Sequence, residues 1–552
     1  MQIRLLRKGL GTVVSLFWAT VLALPILQAE PKPVLTVSTA NPETLYQIAE
    51  KIATLTGMLD DFHAVSVPYK ELKGIDRKNP IVFVLHAEGD EFKDPLLFLP
   101  ITDLTKVEIP GFEMLLPQAR RQSDGRYLLS TPAGAFVLTP KKGYLVASSE
   151  SSEMPIPDDP AKFLKGLETY SLGIRIDTEN TSAEAVQMLL APFQLIAGIQ
   201  FGEQATQAFE QINQAVEQMC REFRSMTIGL AMDPKNADTT IQVNVVAKSG
   251  SETAKAIEFQ KNATTVFGGF LGDTNAVMAF SAVGKGLKDN SDQLEIMAHS
   301  IDQLIGGLLE QVEENAEEDE DVELAETIAA SLKKMLLATS ALEKIDYGFS
   351  LSNDGTFALG TSLAEGKELE KIGSLILKRL EKLAPDKEQF ANTVKKMKTN
   401  HATVEGFQLS SFVFPLGEIS PEFFADKTFH AYWGLKNDAF VLWSGFDSKS
   451  EEQLKSAIAA MKKPIANQGG HGKFSMMQLG NLLKNFQMAS VAPETVTDLV
   501  KAFIAAGPDA NIVLSQATLD QVSAVGTLSI SGKIWDAVVK IAAIAQELQG
   551  GD

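Results

Sequence analysis

One cysteine, Cys220, stands in a chain of 552 residues. A single thiol excludes an intramolecular disulfide and any paired CxxC metal or redox site. At the end of a helical run closing on MCREF, it reads as a small buried residue rather than a nucleophile. The six histidines, at 63, 86, 299, 401, 430 and 471, never fall three or four residues apart, so no helix can offer two imidazoles to one metal. G-x-S-x-G elbows, HExxH helices and Walker A loops are missing as well. No residue is assigned a catalytic role on this basis, and nothing calls for a cofactor. Positive charge is also scarce, with 50 Lys and Arg against 70 Asp and Glu, a formal net charge of -20. Such a surface repels nucleic acid and anionic headgroups, which excludes nucleic acid as a partner.

What is present begins with an export signal at Met1–Ala29. Arg4, Arg7 and Lys8 make a basic start, Leu10 to Leu27 is almost wholly apolar, and Leu27-Gln28-Ala29 puts a small residue at the cut. Cleavage removes three positive charges and no negative one, which takes the net charge from -20 to -23. The rival reading is an uncleaved anchor, since the run nears the ~18 residues of a spanning helix. Pro25 and Ala29 favour cleavage, which leaves a periplasmic or secreted protein with no stable membrane anchor.

Two stretches organise the remainder. Ala135 to Ser148 (AFVLTPKKGYLVAS) and Ala431 to Ser444 (AYWGLKNDAFVLWS) each read as two apolar strands around a polar turn. Ahead of the first, Val34 to Ala40 alternates like a strand, and Asn41-Pro42 caps and opens a helix to about Thr56. Ile81 to His86 and Leu96 to Ile101 form strands across the turn AEGDEFKDP. Three further stretches share one unit, two strands, a glycine exit and an amphipathic helix: Met226 to Asn262, Tyr347 to Leu383 and Asn511 to Leu548. Their exits carry Gly250, Gly366 and Gly532, expected where the chain leaves a strand with positive φ.

Hairpins punctuated by helices, without βαβ alternation, predict an α+β fold. The expected architecture is two similar halves, 30–267 and 268–552, related by internal duplication. Each is a curved antiparallel sheet built of hairpins with amphipathic helices on one face.

The signal peptide, the stretch IVFVLHAEGDEFKDPLLFLPITDL and the repeated hairpin-glycine-helix units resemble large exported proteins of planctomycete bacteria. The likeness covers the layout of most of the mature chain and the residues of short stretches only. It implies a compartment, and it carries over neither an activity nor a catalytic residue.

The sites with chemistry to consider are few. His86, Glu88, Asp90 and Glu91, with Asp94 nearby, could offer oxygen ligands to Ca²⁺ around a glycine turn, but an acidic hairpin turn needs no ion and the spacing is not that of an EF-hand. The acidic run Glu313 to Asp321 reads as an exposed linker or a solvated helix end, against weak cation binding or a basic partner. Leu189 to Phe201 and Ile328 to Leu342 are apolar on wide faces, which suits core packing or, alternatively, a cavity for an apolar ligand. The reading taken is an exported non-catalytic binding or scaffold protein, with a possible apolar small molecule or protein partner. A periplasmic carrier of lipid or another apolar ligand is the alternative, and an exported hydrolase with a site not visible in sequence comes third.

Overall fold

Val34, Thr36 and Ser38 alternate along β1 (Lys32–Thr39) and are each only 2% exposed, the period-two burial of a strand with one face inward. The computed structural model describes residues 32–549, apart from 56, 61, 64–73, 89–90, 103–119, 132–133, 153, 189–212, 215, 273, 289, 316–318, 384–386, 416–426, 467–469 and 487–493. The fold is mixed α+β, with antiparallel hairpin strands as its main element. The expected signal peptide and the apolar stretch Leu189 to Phe201 lie outside the described residues. Two compact units emerge: residues 1–255 with 519–532, and residues 256–518 with 533–552. The sequence had placed the division at 268.

In the first unit, α1 (Pro42–Leu55) starts as its sequence dictates: Asn41 Oδ1 accepts the Thr44 N–H at 2.9 Å, and Pro42 opens the helix. Strands β2 (Val82–Glu88), β3 (Glu91–Pro100), β4 (Arg120–Arg121), β5 (Tyr127–Thr131), β6 (Gly134–Lys141) and β7 (Tyr144–Ser149) follow. They are joined by β8 (Leu172–Ile176), β9 (Phe223–Met232), β10 (Thr239–Ala247) and the distant β22 (Ser523–Ile530). Antiparallel pairings order them β4-β5-β6-β7-β3-β2-β1-β8-β9-β10-β22. The hairpin expected at 135–148 is β6–β7, closed where Lys141 faces Tyr144, with Gly143 at φ 75°.

The expected loop AEGDEFKDP is mostly strand. Pairing runs on from Glu88↔Glu91 through Ala87↔Phe92 and His86↔Lys93, then slips before Val84↔Leu96. Asp94 and Pro95 form the resulting bulge, where a residue without an N–H is tolerated. Phe92 drives this pairing, because it is buried with Phe83, Leu85, Ala87 and Val34 against Ala185. Val82 and Val84 point the other way, with Leu96, Phe98, Val146 and Phe163. The β2 strand is thus buried on both faces, which its unbroken apolar run requires.

In the second unit, β12 (Ala276–Lys285) and β13 (Lys344–Ser352) are separated by α3 (Ser291–Asn315) and α4 (Asp319–Ser340), and α2 (Glu252–Lys261) precedes them. β14 (Phe357–Ser362), α5 (Lys367–Leu383), α6 (Lys387–Val394), β15 (Lys398–Val404) and β16 (Phe407–Pro415) lead to the second organising hairpin, β17 (Thr428–Lys436) and β18 (Ala439–Gly445). Then come α7 (Ser450–Ala460), β20 (Gly470–Ser475), α8 (Met476–Asn485), α9 (Glu494–Ala505), β21 (Asn511–Thr518) and α10 (Gly532–Gln549). A short pair, β11 (Thr264–Thr265) and β19 (Ile465–Ala466), stands apart. The main order is β15-β16-β17-β18-β14-β13-β12-β20-β21, again antiparallel.

This unit's core is the cluster of Phe267, Phe270, Phe407, Leu409, Val441, Leu454 and Ile458. Gly348 and Gly360 face each other across β13–β14, and a Cβ on Gly360 would lie 2.3 Å from the Phe267 ring. Glycine in these strand interiors admits the two phenylalanines. Asp346, 2% exposed, anchors the segment that carries them, accepting from Thr265 Oγ1 at 2.7 Å and from the Val266 N–H at 2.9 Å.

The glycine exits differ in their reasons. Gly250 has φ 81°, as expected, but at the second exit Glu365 takes the positive φ of 58° beside Gly366. Gly532 is set by close approach, since a Cβ there would run into the Asn236 carbonyl.

Candidate functional site

The acidic hairpin end comes first, because sequence singled it out. His86 is 4% exposed, with its ring 5.8 Å from Phe163 and edge-on to it. Burial, with the nearby Lys162 ammonium, pushes its pKa down to about 4, so the ring is neutral near pH 7. Its Nδ1 has no partner among the described residues. Glu88 and Glu91 are met by Lys93, whose Nζ lies 3.0 and 3.5 Å from their carboxylates. Asp94 accepts the Ser149 hydroxyl at 2.6 Å. Asp90 lies outside the described residues, and no metal-holding group of three is found among those described. Lys93 already supplies the positive charge at this turn, a role the sequence reading had not given it.

Cys220 is buried, and burial raises its thiol pKa, which leaves it the inert core residue expected. The acidic run is divided by structure. Glu313 and Glu314 end α3 in the open, whereas Asp321 and Glu320 at the start of α4 are held by α5. Arg379 Nη2 donates to Asp321 Oδ2 at 2.8 Å, and Lys382 Nζ donates to Glu320 at 2.7 Å.

A cleft of about 730 Å³ in the first unit is lined by Lys78, Tyr170, Asp233 and Asp238 among others. Several of its polar groups are turned to the fold, although the buried Thr39 Oγ1 has no partner among the described residues. Asp238 accepts the Gly532 N–H at 2.7 Å, Asp233 accepts the Lys235 N–H at 2.8 Å, and the Tyr170 hydroxyl is held between Gln242 and Asn244.

The second unit presents a cleft of about 560 Å³ between α7 and the β13–β14 hairpin end. Its floor exists because Gly269 and Gly272 carry no side chain. A Cβ on Gly269 would meet the Ala457 backbone at 3.2 Å, and one on Gly272 would meet Ser350 at 2.8 Å. Trp443, on β18, forms a wall. Its ring lies 6.2 Å from Phe270 and its indole N–H donates to Gln453 Oε1 at 3.0 Å, which sets its orientation. Ser350 and Ser352 on β13 and Thr356 just before β14 bring hydroxyls, and Lys449, which precedes α7, with Glu452 and Ser456 on α7, brings further polar groups. Lys449 and Glu452 are exposed and make no ion pair among the described residues. A second hollow of about 630 Å³ adjoins across Asp354 and Thr356 and reaches His430, whose Nδ1 lacks a partner among the described residues. Lys427, at its edge, is committed to the Asn485 carbonyl at 2.7 Å and to the Phe486 ring at 4.4 Å.

An aromatic wall with hydroxyls, the amides of Asn275 and Gln453, one lysine and the two carboxylates Asp354 and Glu452 can stack against and hydrogen-bond a polar ligand. No serine in this cleft is hydrogen-bonded to a histidine or carboxylate among the described residues. Sequence reasoning missed the cleft, although the repeated hairpin containing Trp443 was its one visible part. Comparison of the chain with family models, curated proteins and solved structures found no match.

Proposed function

We propose that the chain is an exported, non-catalytic binding protein whose ligand site is the Trp443 cleft, and that the ligand is polar and rich in hydroxyls, as a saccharide is. The carrying observation is the combination on one open cleft of an oriented indole, sheet hydroxyls and the uncommitted Lys449 and Glu452. The apolar-carrier reading finds less support. Ile328 to Leu342 lies largely in α4, whose wide apolar face is used in packing against α3 and α5. Export rests on the layout of Met1 to Ala29. Among the described residues, no helix is long and apolar enough to cross a membrane.

The same reading includes internal duplication. The order β4-β5-β6-β7-β3-β2-β1-β8-β9 in one unit is matched by β15-β16-β17-β18-β14-β13-β12-β20-β21 in the other, with the two organising hairpins in equivalent places. A shared order of nine antiparallel strands supports descent from one ancestral half.

Titration of the purified mature protein with soluble oligosaccharides, followed by isothermal titration calorimetry, tests the ligand class. Saturable binding is expected in wild type, with affinity weakened roughly tenfold or more in Trp443→Phe and Glu452→Gln. Absence of any saccharide response sensitive to these substitutions would remove the reading.

A further inference from the structure

In the second unit, strand register sets four residues in a row across one sheet face. Ser352, at the end of β13, donates its N–H to the Thr356 carbonyl at 2.8 Å, one step beyond the last β13–β14 pair. Thr356 lies over Gly445 of β18, where a Cβ would stand 3.0 Å from its hydroxyl oxygen. Gly445 is paired in turn with His430 of β17. The next pair on that face is Tyr432 with Trp443, so the indole is a diagonal neighbour of His430. His430 and Tyr432 stack at 6.5 Å with their rings 11° apart, as side chains two residues apart on one face can. Neighbouring strands lie about 4.8 Å apart, so the row from Ser352 to His430 spans roughly 14 Å.

The two hollows of this unit meet on that row. Asp354 and Thr356 line both, the Trp443 cleft holds the Ser352 end, and the hollow of about 630 Å³ holds the His430 end with Thr428 and Phe446. Charge narrows the ligand class. Lys427, at the far hollow, is taken by the Asn485 carbonyl and the Phe486 ring. Asp354 and Asp447 each use one oxygen on a nearby backbone N–H, and the second has no partner among the described residues. Free carboxylate oxygens accept hydroxyls and repel an acidic chain. We propose that the two hollows are one groove, and that its ligand is an uncharged linear oligosaccharide of several units laid along the row. A span of roughly 14 Å is longer than a single pyranose ring. At the far end His430 takes part by a half-turn about Cβ–Cγ, which keeps its plane on Tyr432 and gives Nδ1, buried and unpartnered among the described residues, a hydroxyl to bond. This rests on the reading of the Trp443 cleft as a saccharide site, and it adds the length, the charge class and the far subsite.

Isothermal titration calorimetry of the full mature protein tests this with sugar series of increasing length. The probes are β-1,4-linked glucose, α-1,4-linked glucose and β-1,4-linked N-acetylglucosamine, each from monomer to hexamer, with oligogalacturonates as the acidic chain. In the series that binds best, affinity should rise at least roughly tenfold from monomer to hexamer, because both ends of the groove are then engaged. Oligogalacturonates should bind most weakly. His430→Phe keeps a ring on Tyr432 and removes both nitrogens, and Thr428→Val removes a hydroxyl from the same hollow. The gain with length should be lost in the first and reduced in the second, with circular dichroism checking the fold of each. The wild-type length dependence needs no variant. A monomer bound as tightly as the hexamer overturns the groove and leaves the Trp443 cleft as a site for one sugar. A gain untouched by both variants places the chain elsewhere, and tightest binding of oligogalacturonates overturns the uncharged class. Binding that is absent in every series removes the saccharide reading of the Trp443 cleft together with this one.

Discussion

Lys93 holds its ammonium 3.0 Å from the Glu88 carboxylate with only 6% of its side chain exposed. The contact is an ion pair by proximity, since neither Lys93 Nζ nor Glu88 Oε2 meets hydrogen-bond geometry. Removing one partner of such a pair strands the other charge in a poor solvent. Lys93→Met is expected to destabilise the protein by about 3 kcal/mol, with much of this recovered in Lys93→Met/Glu88→Leu. Urea unfolding of the three proteins measures it. Millimolar Ca²⁺ should leave the wild-type melting temperature unchanged beyond the effect of ionic strength, because lysine occupies the cation's place.

His86 predicts a pH dependence. Its folded pKa, about 4, lies below its ordinary 6.5, so the unfolded chain binds a proton that the folded one refuses. The stability this confers is fully present above pH 6.5 and is lost as pH falls toward 4, by on the order of 3 kcal/mol in all. His86→Leu should flatten the melting temperature between those limits. An unchanged slope would assign the acid lability to other groups.

Gly360 tests the packing of Phe267. Gly360→Ala sets a methyl 2.3 Å from the ring, and overpacking of this kind costs about 2 kcal/mol. At Gly284, on β12, a Cβ meets nothing within 4 Å, so Gly284→Ala should be neutral or slightly stabilising. Equal effects in thermal denaturation would mean that the β13–β14 glycines are not there to admit the phenylalanine.

The acidic run separates into two kinds of carboxylate. Asp321→Asn loses the charge and one of the two oxygens that face Arg379, whose side chain is 12% exposed, and should cost about 1 kcal/mol. Glu313→Gln and Glu314→Gln alter open positions and should fall within about 0.5 kcal/mol of wild type. Differential scanning calorimetry of the three variants decides whether the run is uniform.

The Trp443 cleft was legible in the sequence only at its hairpin. Alternation marks β17 and β18, but nothing in residues 431–444 announces that Gly269, Gly272, Ser350 and Gln453 meet around the indole. These lie up to 184 positions apart, from Gly269 to Gln453, and come together through strand order. The loop expected at AEGDEFKDP was similarly overridden: its acids and glycine speak for a turn, while burial of Phe92 extends the pairing to Glu91.

Local chemistry in the sequence sufficed wherever the interaction spans a few residues. The Asn41 cap, the two tight hairpins, the core character of Cys220 and the α+β class follow from hydrogen-bond valence, period-two burial and helical spacing, all read within one element. Tertiary structure alone decided which acids are solvated and which are held, that Lys93 neutralises the turn, that Asp346 anchors Thr265 at a separation of 81 residues, and that β22 completes the first unit's sheet. Such pairings depend on the register and order of strands. These are set by the burial of whole faces, a property distributed over the chain and carried by no local motif.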